Sequence, residues 1–427
     1  MGLQLNIGTQ ETKTRLRIPN KNEYYWCISW IFILISPLLS LPLILVGIWN
    51  KQTYSVFQLI IFFGIVAFLF PPSGDLYRYY NLFYLNFKGI RFNDIFNFYI
   101  FDFIWYAILY LLVNLDIPFQ YGQVISCFLQ LGIVSYILSK QKVESLNNKN
   151  FFLTYLLSFI ITGFWTSIEL RFYLALSFFI LSVFWLTKKR HTYFYIFIIS
   201  SIFTHYSFIF IALLLTIGII FKRFINIKTC IFIGIIMFAI VLTIGQILDN
   251  MGFDKAGYIT NSTDWTENSS FILRLIKNWL MYLPLITMSI ILLKKKDSSL
   301  LYKISILFLT ITLATLQLPD LNSRFKIVTT SLIWLYFVTK TPYYTRWITP
   351  VFYSAFFVFV LNTATSYRAL TLGKYEDLIL PTPIIFFIDS YNDYWIQTHI
   401  NDGNIYKLTH IKLESKYCLS DDVHMIT

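Results

Sequence analysis

Long apolar segments recur along the chain, and they constrain its fold more than any other feature of the sequence. A helix needs about 20 apolar residues to cross a bilayer, or fewer if it is short or partly interfacial. Hydrophobic residues make up 57% of the 427 positions and charged residues only 13%, a balance that water-soluble cores of ordinary size could not hide. The sequence therefore predicts an all-α, polytopic integral membrane protein with about 11–13 transmembrane helices.

The candidate membrane helices follow one another over most of the chain. They are residues 24–49, 56–70, 95–113, 119–138, 151–164, 170–186, 193–221, 229–248, 275–293, 301–316, 327–338 and 347–361. We predict three regions: a basic cytoplasmic N-terminus at 1–23, a transmembrane helical domain at 24–361 with an outer loop at about 249–273, and a polar C-terminal tail at 362–427 on the periplasmic side.

Basic residues gather at the ends of the apolar segments, and such clusters favour the cytoplasmic side of a membrane. The clusters at 188–190, 222–223 and 294–296 are assigned to that side, together with Lys140. For the first two clusters to share one side, the segment 193–221 must cross and return, so we expect a turn near His205. The same count places six charged or titratable residues on the outer face: Glu169, Arg171, His205, Arg274, Asp320 and Arg324.

Charged side chains at the start of apolar helices are costly in lipid unless they face protein, water or a ligand. Arg171 either pairs with Glu169 at the membrane interface or binds an anionic ligand, because a guanidinium group matches phosphate geometry. His205 is either a satisfied interfacial histidine or a group that donates to phosphate or moves a proton. Arg324, in LNSRF, repeats the arrangement of Arg171 at the start of another apolar helix. A pyrophosphate-linked lipid would suit such a cationic pocket.

The segment SGDLYRYY gathers polar and aromatic side chains at a membrane edge. They are Asp75, Tyr77, Arg78 and Tyr80. An aromatic belt at the interface explains the tyrosines, whereas hydrogen bonding and stacking on sugar rings would give the group a function. The four cysteines are far apart, and the chain carries no Walker A, GxGxxG, HExxH or GxSxG motif. We therefore predict no metal and no cofactor, and the scattered basic residues argue against nucleic-acid binding.

In their order, these features resemble those of bacterial polysaccharide polymerases of the Wzy type, most closely the EpsG-like branch. The shared pattern is an acidic residue with spaced tyrosines, then Arg-x-x-Leu-Ala, a basic turn, and Phe-x-His-x-Ser before an apolar helix. Here it comprises Asp75, Tyr77 and Tyr80; Arg171, Leu174 and Ala175; 188–190; and Phe203, His205 and Ser207, with a weaker echo at Arg324 and Phe325. The acidic residue and Pro-Gly usual after the tyrosines have their nearest match at Asp102 and Phe103, without Pro or Gly.

The resemblance implies a membrane-embedded glycosyltransferase of the GT-C-like kind in the bacterial inner membrane. Such an enzyme joins oligosaccharide repeat units carried on undecaprenyl pyrophosphate at the periplasmic face, in some cases with a chain-length regulator protein. The implied catalytic residues are Arg171, His205, Arg324 and Asp75. The implied substrate-binding residues are Tyr77, Tyr80 and Ser207. From their positions at the membrane edge and on the outer face, we add Arg78, Glu169, Arg274 and Asp320 as substrate-binding candidates.

Two questions stay open at the level of sequence. Counting crossings back from Lys140 puts the loop 71–94 inside, whereas the resemblance favours the outer face; a re-entrant piece or a miscounted first span would reconcile them. The alternative functions are a flippase for lipid-linked oligosaccharides and a membrane O-acyltransferase that modifies surface polysaccharide. A flippase should show related halves and charges in both leaflets.

Overall fold

A computed structural model describes the chain at residues 21–69, 79, 87, 90–98, 102–141, 143–162, 170–250, 279–295, 297–316, 318–340 and 345–365. All regular secondary structure in these ranges is helical, so the predicted all-α class is confirmed. The helices are α1 Lys21–Ile35, α2 Pro37–Trp49, α3 Thr53–Leu69, α4 Phe92–Phe98, α5 Phe103–Asn114, α6 Gln120–Lys140, α7 Asn148–Thr162, α8 Leu170–Thr187, α9 His191–Thr204, α10 Phe208–Ile220, α11 Ile227–Asn250, α12 Leu283–Lys295, α13 Leu300–Ala314, α14 Pro319–Thr339 and α15 Ile348–Thr365.

Most of these helices are short for a membrane crossing. Among the described residues, α6 alone is both long enough and apolar enough to qualify by length and composition. The other apolar helices have apolar stretches of 10–17 residues. Packing between helices, rather than the length of each one, therefore defines the architecture of the bundle.

The predicted first span, 24–49, is wrong as a single helix. The chain breaks at Ser36, whose backbone is extended (φ −153°, ψ 107°), and α2 begins at Pro37. Proline has no backbone N–H and disfavours helical geometry in the residue before it, so the break falls at this position.

The two pieces, α1 and α2, run in opposite directions. The Trp26 ring in α1 lies 5.5 Å from the ring of Tyr54 at the start of α3. One turn further on, Ser29 Oγ donates to Gln58 Oε1 over 2.9 Å. Because α3 begins just after α2 ends, the start of α1 lies beside the end of α2. The chain therefore reverses at Ser36 and forms a helical hairpin.

The predicted span at 95–113 is also wrong as a single helix. Residues 92–98 and 103–114 form two separate helices, α4 and α5. They build a small core of their own, distinct from the main core of the bundle: Tyr79, Phe87, Ile95, Trp105, Tyr106, Leu109, Leu112, Val113 and Phe119. Gly122 lets α5 lie close to the first turn of α6, since a Cβ there would come 3.1 Å from Leu112 Cδ1.

Loops that carry basic residues meet at one end of the bundle, which we call the basic end. Lys51 Nζ donates to the carbonyl of Glu144 over 3.4 Å, and Lys303 Nζ donates to the carbonyl of Lys222 over 2.6 Å. Lys340 forms an ion pair of 3.4 Å with Asp297, a carboxylate that also accepts hydrogen bonds from Ser299 and Tyr336. These contacts lower the pKa of Asp297, although burial acts in the opposite direction.

The opposite end, which we call the site end, holds Asp102, Arg171, the turn 205–207 and the first turns of α14. The predicted turn near His205 is confirmed, since α9 ends at Thr204 and α10 begins at Phe208. Phe68, at the end of α3, lies 5.3 Å from Tyr121 at the start of α6, so α3 and α6 run in opposite directions. Two described residues of the loop 71–94, Tyr79 and Phe87, belong to the α4–α5 core at this end.

A buried polar network holds together the connection that leads to Arg324. The Asn322 side chain donates to the carbonyl of Thr312 over 2.5 Å and to Thr315 Oγ1 over 3.2 Å. The hydroxyls of Thr312 and Thr329 lie 2.7 Å apart, so the network links α13 to α14.

Asn322→Leu is expected to destabilise the protein by about 1–3 kcal/mol, because the buried acceptors on Thr312 and Thr315 lose their donor. Thermal unfolding of the purified protein in detergent measures this effect. Asn114→Leu is the control, since Asn114 donates to Tyr110 from an exposed position and its loss should cost little. Equal unfolding temperatures for the two variants would argue against a stabilising role for the network.

Candidate functional site

Arg171 lies in the first turn of α8 and is enclosed by three side chains at the site end. Its Nη1 donates to Asp102 Oδ2 over 2.7 Å and, more weakly, to the Tyr106 hydroxyl over 3.4 Å. Its Nη2 donates to the Tyr79 hydroxyl. The Tyr79 ring also packs on the guanidinium, with Cζ 4.3 Å from the ring centroid. A carboxylate and aromatic rings thus stabilise this cation in a largely apolar setting.

The guanidinium keeps donors for a further partner. It carries five N–H groups, and the contacts seen within the described ranges use three of them. Within the same ranges the Nε hydrogen and one Nη2 hydrogen have no acceptor, and the side chain is 12% exposed. Arg171 can therefore bind a second anion without releasing Asp102.

Asp102, just before α5, connects Arg171 to the turn that contains His205. While Oδ2 binds Arg171, Oδ1 accepts the backbone N–H of Tyr206 over 3.3 Å. Each carboxylate oxygen thus accepts a hydrogen bond from a different element, one from α8 and one from the turn between α9 and α10. No role for Asp102 was predicted from the sequence.

His205 is buried in the turn between α9 and α10. The backbone N–H of Ser207 donates to His205 Nδ1 over 3.2 Å, and Ser207 Oγ lies 2.9 Å from the same atom. Since a backbone N–H can only donate, Nδ1 is the acceptor, and the neutral ring carries its proton on Nε2. The ring stacks on Tyr206 at 5.0 Å and meets the edge of Phe172. His205 therefore presents one N–H donor.

The electrostatic setting keeps this imidazole neutral. Burial lowers the pKa of His205, and the positive charges of Arg171 and Arg324 lower it further. The effect of Arg324 places its charge within electrostatic reach of the ring. Two arginines and one neutral histidine donor thus share the site end of the bundle.

Of the residues predicted from the sequence, the structure brings together Arg171, His205 and Ser207 through Asp102, and Arg324 lies at the same end of the bundle, on the second turn of α14. Asp320 lies on the first turn of α14. Asp75, Tyr77, Arg78, Tyr80, Glu169 and Arg274 lie outside the described residues. No cluster of three or more His, Cys, Asp or Glu side chains that could hold a metal occurs in the ranges that the structure describes.

Three residues that contact Arg171 were not among the predicted site residues: Tyr79, Tyr106 and Asp102, of which Asp102 was named only as the nearest match to an acidic residue of the family pattern. A signal was present for two of them. Asp102 and Tyr106 are four residues apart, and this spacing puts them on one face of a helix. Tyr79 stands between the two tyrosines chosen from SGDLYRYY, and nothing in the local sequence distinguishes it from them.

Comparison with known proteins gives one match. A family model described as the EpsG family matches residues 52–377, about three quarters of the chain. This region includes all of the site residues predicted above. No curated protein and no solved structure matches the chain.

Proposed function

The chain belongs to the EpsG family, and from this premise we propose that it is a membrane-embedded polysaccharide polymerase, a glycosyltransferase that joins lipid-linked oligosaccharide repeat units. Family membership supports a polymerase-like role in polysaccharide biosynthesis. The donor we propose is a repeat unit on undecaprenyl pyrophosphate, as in O-antigen assembly. The observation that carries this choice is the cationic site at one end of the bundle, where Asp102 links Arg171 to the His205 turn and the charge of Arg324 acts on the His205 ring.

In the proposed reaction, the bond between the anomeric carbon of the donor sugar and the pyrophosphate oxygen breaks. That carbon forms a new bond to a hydroxyl oxygen of the acceptor unit, and the hydroxyl proton leaves to a base or to solvent. Undecaprenyl pyrophosphate departs with the bonding electron pair. No nucleotide is consumed, because the leaving group is already activated.

The site residues fit the charge that develops in this reaction. As the sugar–oxygen bond breaks, negative charge grows on pyrophosphate, and fixed donors aimed at that charge lower the barrier. Arg171 offers the two N–H groups that its described contacts leave over, and Arg324 adds a second permanent positive charge. His205 adds its Nε2–H as a neutral donor.

The surface of the bundle supports a location in a membrane. Large apolar side chains point outwards, for example Phe210 (63% exposed), Ile220 (66%), Phe232 (65%) and Ile235 (65%). Exposed apolar side chains of this size are unfavourable in water and suit lipid. With the basic end in the cytoplasm, the site end lies at the periplasmic face of the bacterial inner membrane.

The helical hairpin leads to a testable topology. At about 1.5 Å per residue, α1 and α2 are each shorter than the roughly 30 Å hydrocarbon core, so we propose that the hairpin enters from the cytoplasm and returns to it. Lys51 then lies inside and Arg91 outside, and these are the reverse of the positions obtained by counting 24–49 and 95–113 as spans.

Cysteine labelling tests this topology. In a protein with its four cysteines replaced by serine, a membrane-impermeant maleimide applied to spheroplasts should label Arg91→Cys and leave Lys51→Cys unlabelled until the cells are lysed. Asn114→Cys is the positive control, because residue 114 lies outside both in the hairpin topology and in the topology that counts 24–49 and 95–113 as spans. Labelling of Lys51→Cys in intact spheroplasts would contradict the hairpin.

The activity is tested by a gel of surface polysaccharide from a deletion strain of the parent bacterium. Deletion is expected to collapse the polymer ladder to a single repeat unit, and the intact gene should restore the ladder. Repeat units that never reach the outer face would indicate a flippase. A complete ladder that lacks only an acyl group would indicate an O-acyltransferase.

A further inference from the structure

We propose that Asp102 is a positioning residue of this site, which holds Arg171 and the His205 turn in one fixed arrangement by binding both at once. The proposal rests on the proposed function for its kinetic consequences. Its structural basis, one carboxylate shared between two elements, is independent of any activity.

The geometry of Asp102 indicates positioning and not proton transfer. A general base needs a free oxygen within hydrogen-bond reach of the acceptor hydroxyl. Here Oδ2 is occupied by Arg171 at 2.7 Å and Oδ1 by the Tyr206 N–H at 3.3 Å. The side chain is also only 17% exposed. Asp102 therefore acts on the reaction through the groups that it binds.

For Arg171, the consequence is a fixed direction. An arginine side chain has many rotamers, and ordering it at the moment of binding weakens the interaction. Asp102, Tyr79 and Tyr106 hold the guanidinium beforehand from one side. The two remaining N–H groups are then available to a phosphate without further ordering.

For His205, the consequence is a fixed turn. The Tyr206 N–H that Asp102 accepts is next in sequence to the Ser207 N–H that donates to His205 Nδ1. Because Asp102 holds the Tyr206 amide in place, the neighbouring Ser207 amide stays directed at His205 Nδ1. Asp102 thereby supports the tautomer that presents Nε2–H, although it does not touch the imidazole.

The chain offers a matched control in the same small core region. Asp94 forms an exposed ion pair of 3.2 Å with Arg91, three residues away. Exposed pairs of this kind contribute little to stability. Asp94→Asn therefore removes a carboxylate close to the site without removing a link between elements.

The kinetic test compares purified full-length wild type, Asp102→Asn and Asp94→Asn, with a synthetic undecaprenyl-pyrophosphate-linked repeat unit as substrate. For Asp102→Asn we expect kcat to fall by about 100-fold, the effect of misplacing an aligned group, while KM stays level or falls because a negative charge near the donor is gone. Asp94→Asn should match wild type. The kcat is expressed per folded enzyme, because a residue that only stabilised the fold would lower the amount of folded enzyme and leave this kcat unchanged. An unchanged kcat per folded enzyme in Asp102→Asn would overturn the proposal.

Hydrogen–deuterium exchange of the segment around Tyr206 gives a readout that needs no activity. Asp102→Ala should accelerate exchange at this amide at least several-fold, and Asp94→Asn should leave it unchanged. If wild type fails to polymerise, the proposed function falls, while the exchange data still decide whether Asp102 holds the turn. Equal exchange in wild type and Asp102→Ala would overturn the positioning role.

Discussion

Arg171→Ala is expected to reduce polymerisation by about 100- to 1000-fold, the usual loss when a fixed donor to developing negative charge is removed. The cause is the loss of the two N–H groups that the described contacts of Arg171 leave over, which we propose bind the pyrophosphate. Arg171→Lys should be intermediate, because an ammonium keeps the charge and loses the fork of donors. The length and intensity of the polysaccharide ladder in a complemented deletion strain measure the effect.

Arg91→Ala is the control for Arg171→Ala. Arg91 also pairs with an aspartate near the site end, but its side chain is 85% exposed. It should leave the ladder intact. Protein amounts must be compared by immunoblot, since Arg171→Ala also leaves the partly buried Asp102 without its ion-pair partner, which destabilises the fold. A full ladder from Arg171→Ala at wild-type expression would rule out this arginine as a site residue.

His205 gives the second large expected effect, and its variants separate hydrogen-bond donation from proton transfer. His205→Ala should reduce the rate by about 100-fold, because the Nε2–H donor is lost. His205→Gln can place an amide N–H near the position of Nε2 and should retain part of the activity. His205→Asn places its amide nearer to Nδ1 and should resemble alanine.

The pH dependence follows from the direction of the pKa shift. Burial and the charges of Arg171 and Arg324 hold the pKa of His205 below its ordinary value of 6.5, so the ring stays neutral as the pH falls through that value. The polymerisation rate in vitro should therefore stay level between about pH 8 and pH 6. A loss of rate with a midpoint near 6.5 would show that His205 titrates normally and would contradict the neutral-donor assignment.

The sequence was sufficient to predict the helical class and the turn at His205. The turn at His205 followed from the basic clusters on either side of one apolar segment, because both clusters favour the same side. That argument uses only whether the number of membrane crossings between two loops is even or odd, and the charge of those loops. It therefore brought Arg171, His205 and Arg324 to one end without any knowledge of packing.

The N-terminal hairpin could not be predicted in this way. Apolar composition is similar on both sides of Ser36, and hydropathy carries no information about the direction of the chain. Proline alone is an ambiguous signal, since α2 begins at Pro37 but continues through Pro42. The separate α4 and α5 helices were missed for a related reason, as an apolar segment of that length suits either a span or a small core.

These two errors compensated for each other. Reading the hairpin as one crossing, and α4–α5 as another, changes the number of crossings before Lys140 by an even number. In the topology that we propose, the assignment of Lys140 and of every later loop is therefore unchanged, and only the stretch between α2 and α4 is reversed. Asp102 lies within the predicted span 95–113, and its contacts to Arg171 and Tyr206 join residues that are distant in the sequence.

The most direct test of the proposed function is polymerisation by the purified full-length protein in detergent, supplied only with a synthetic undecaprenyl-pyrophosphate-linked repeat unit. The proposed reaction predicts oligomers of two or more units without any nucleotide, with one undecaprenyl pyrophosphate released for each new linkage. A wild-type preparation that is folded and yields neither oligomers nor released carrier would contradict glycosyl transfer from a lipid pyrophosphate donor.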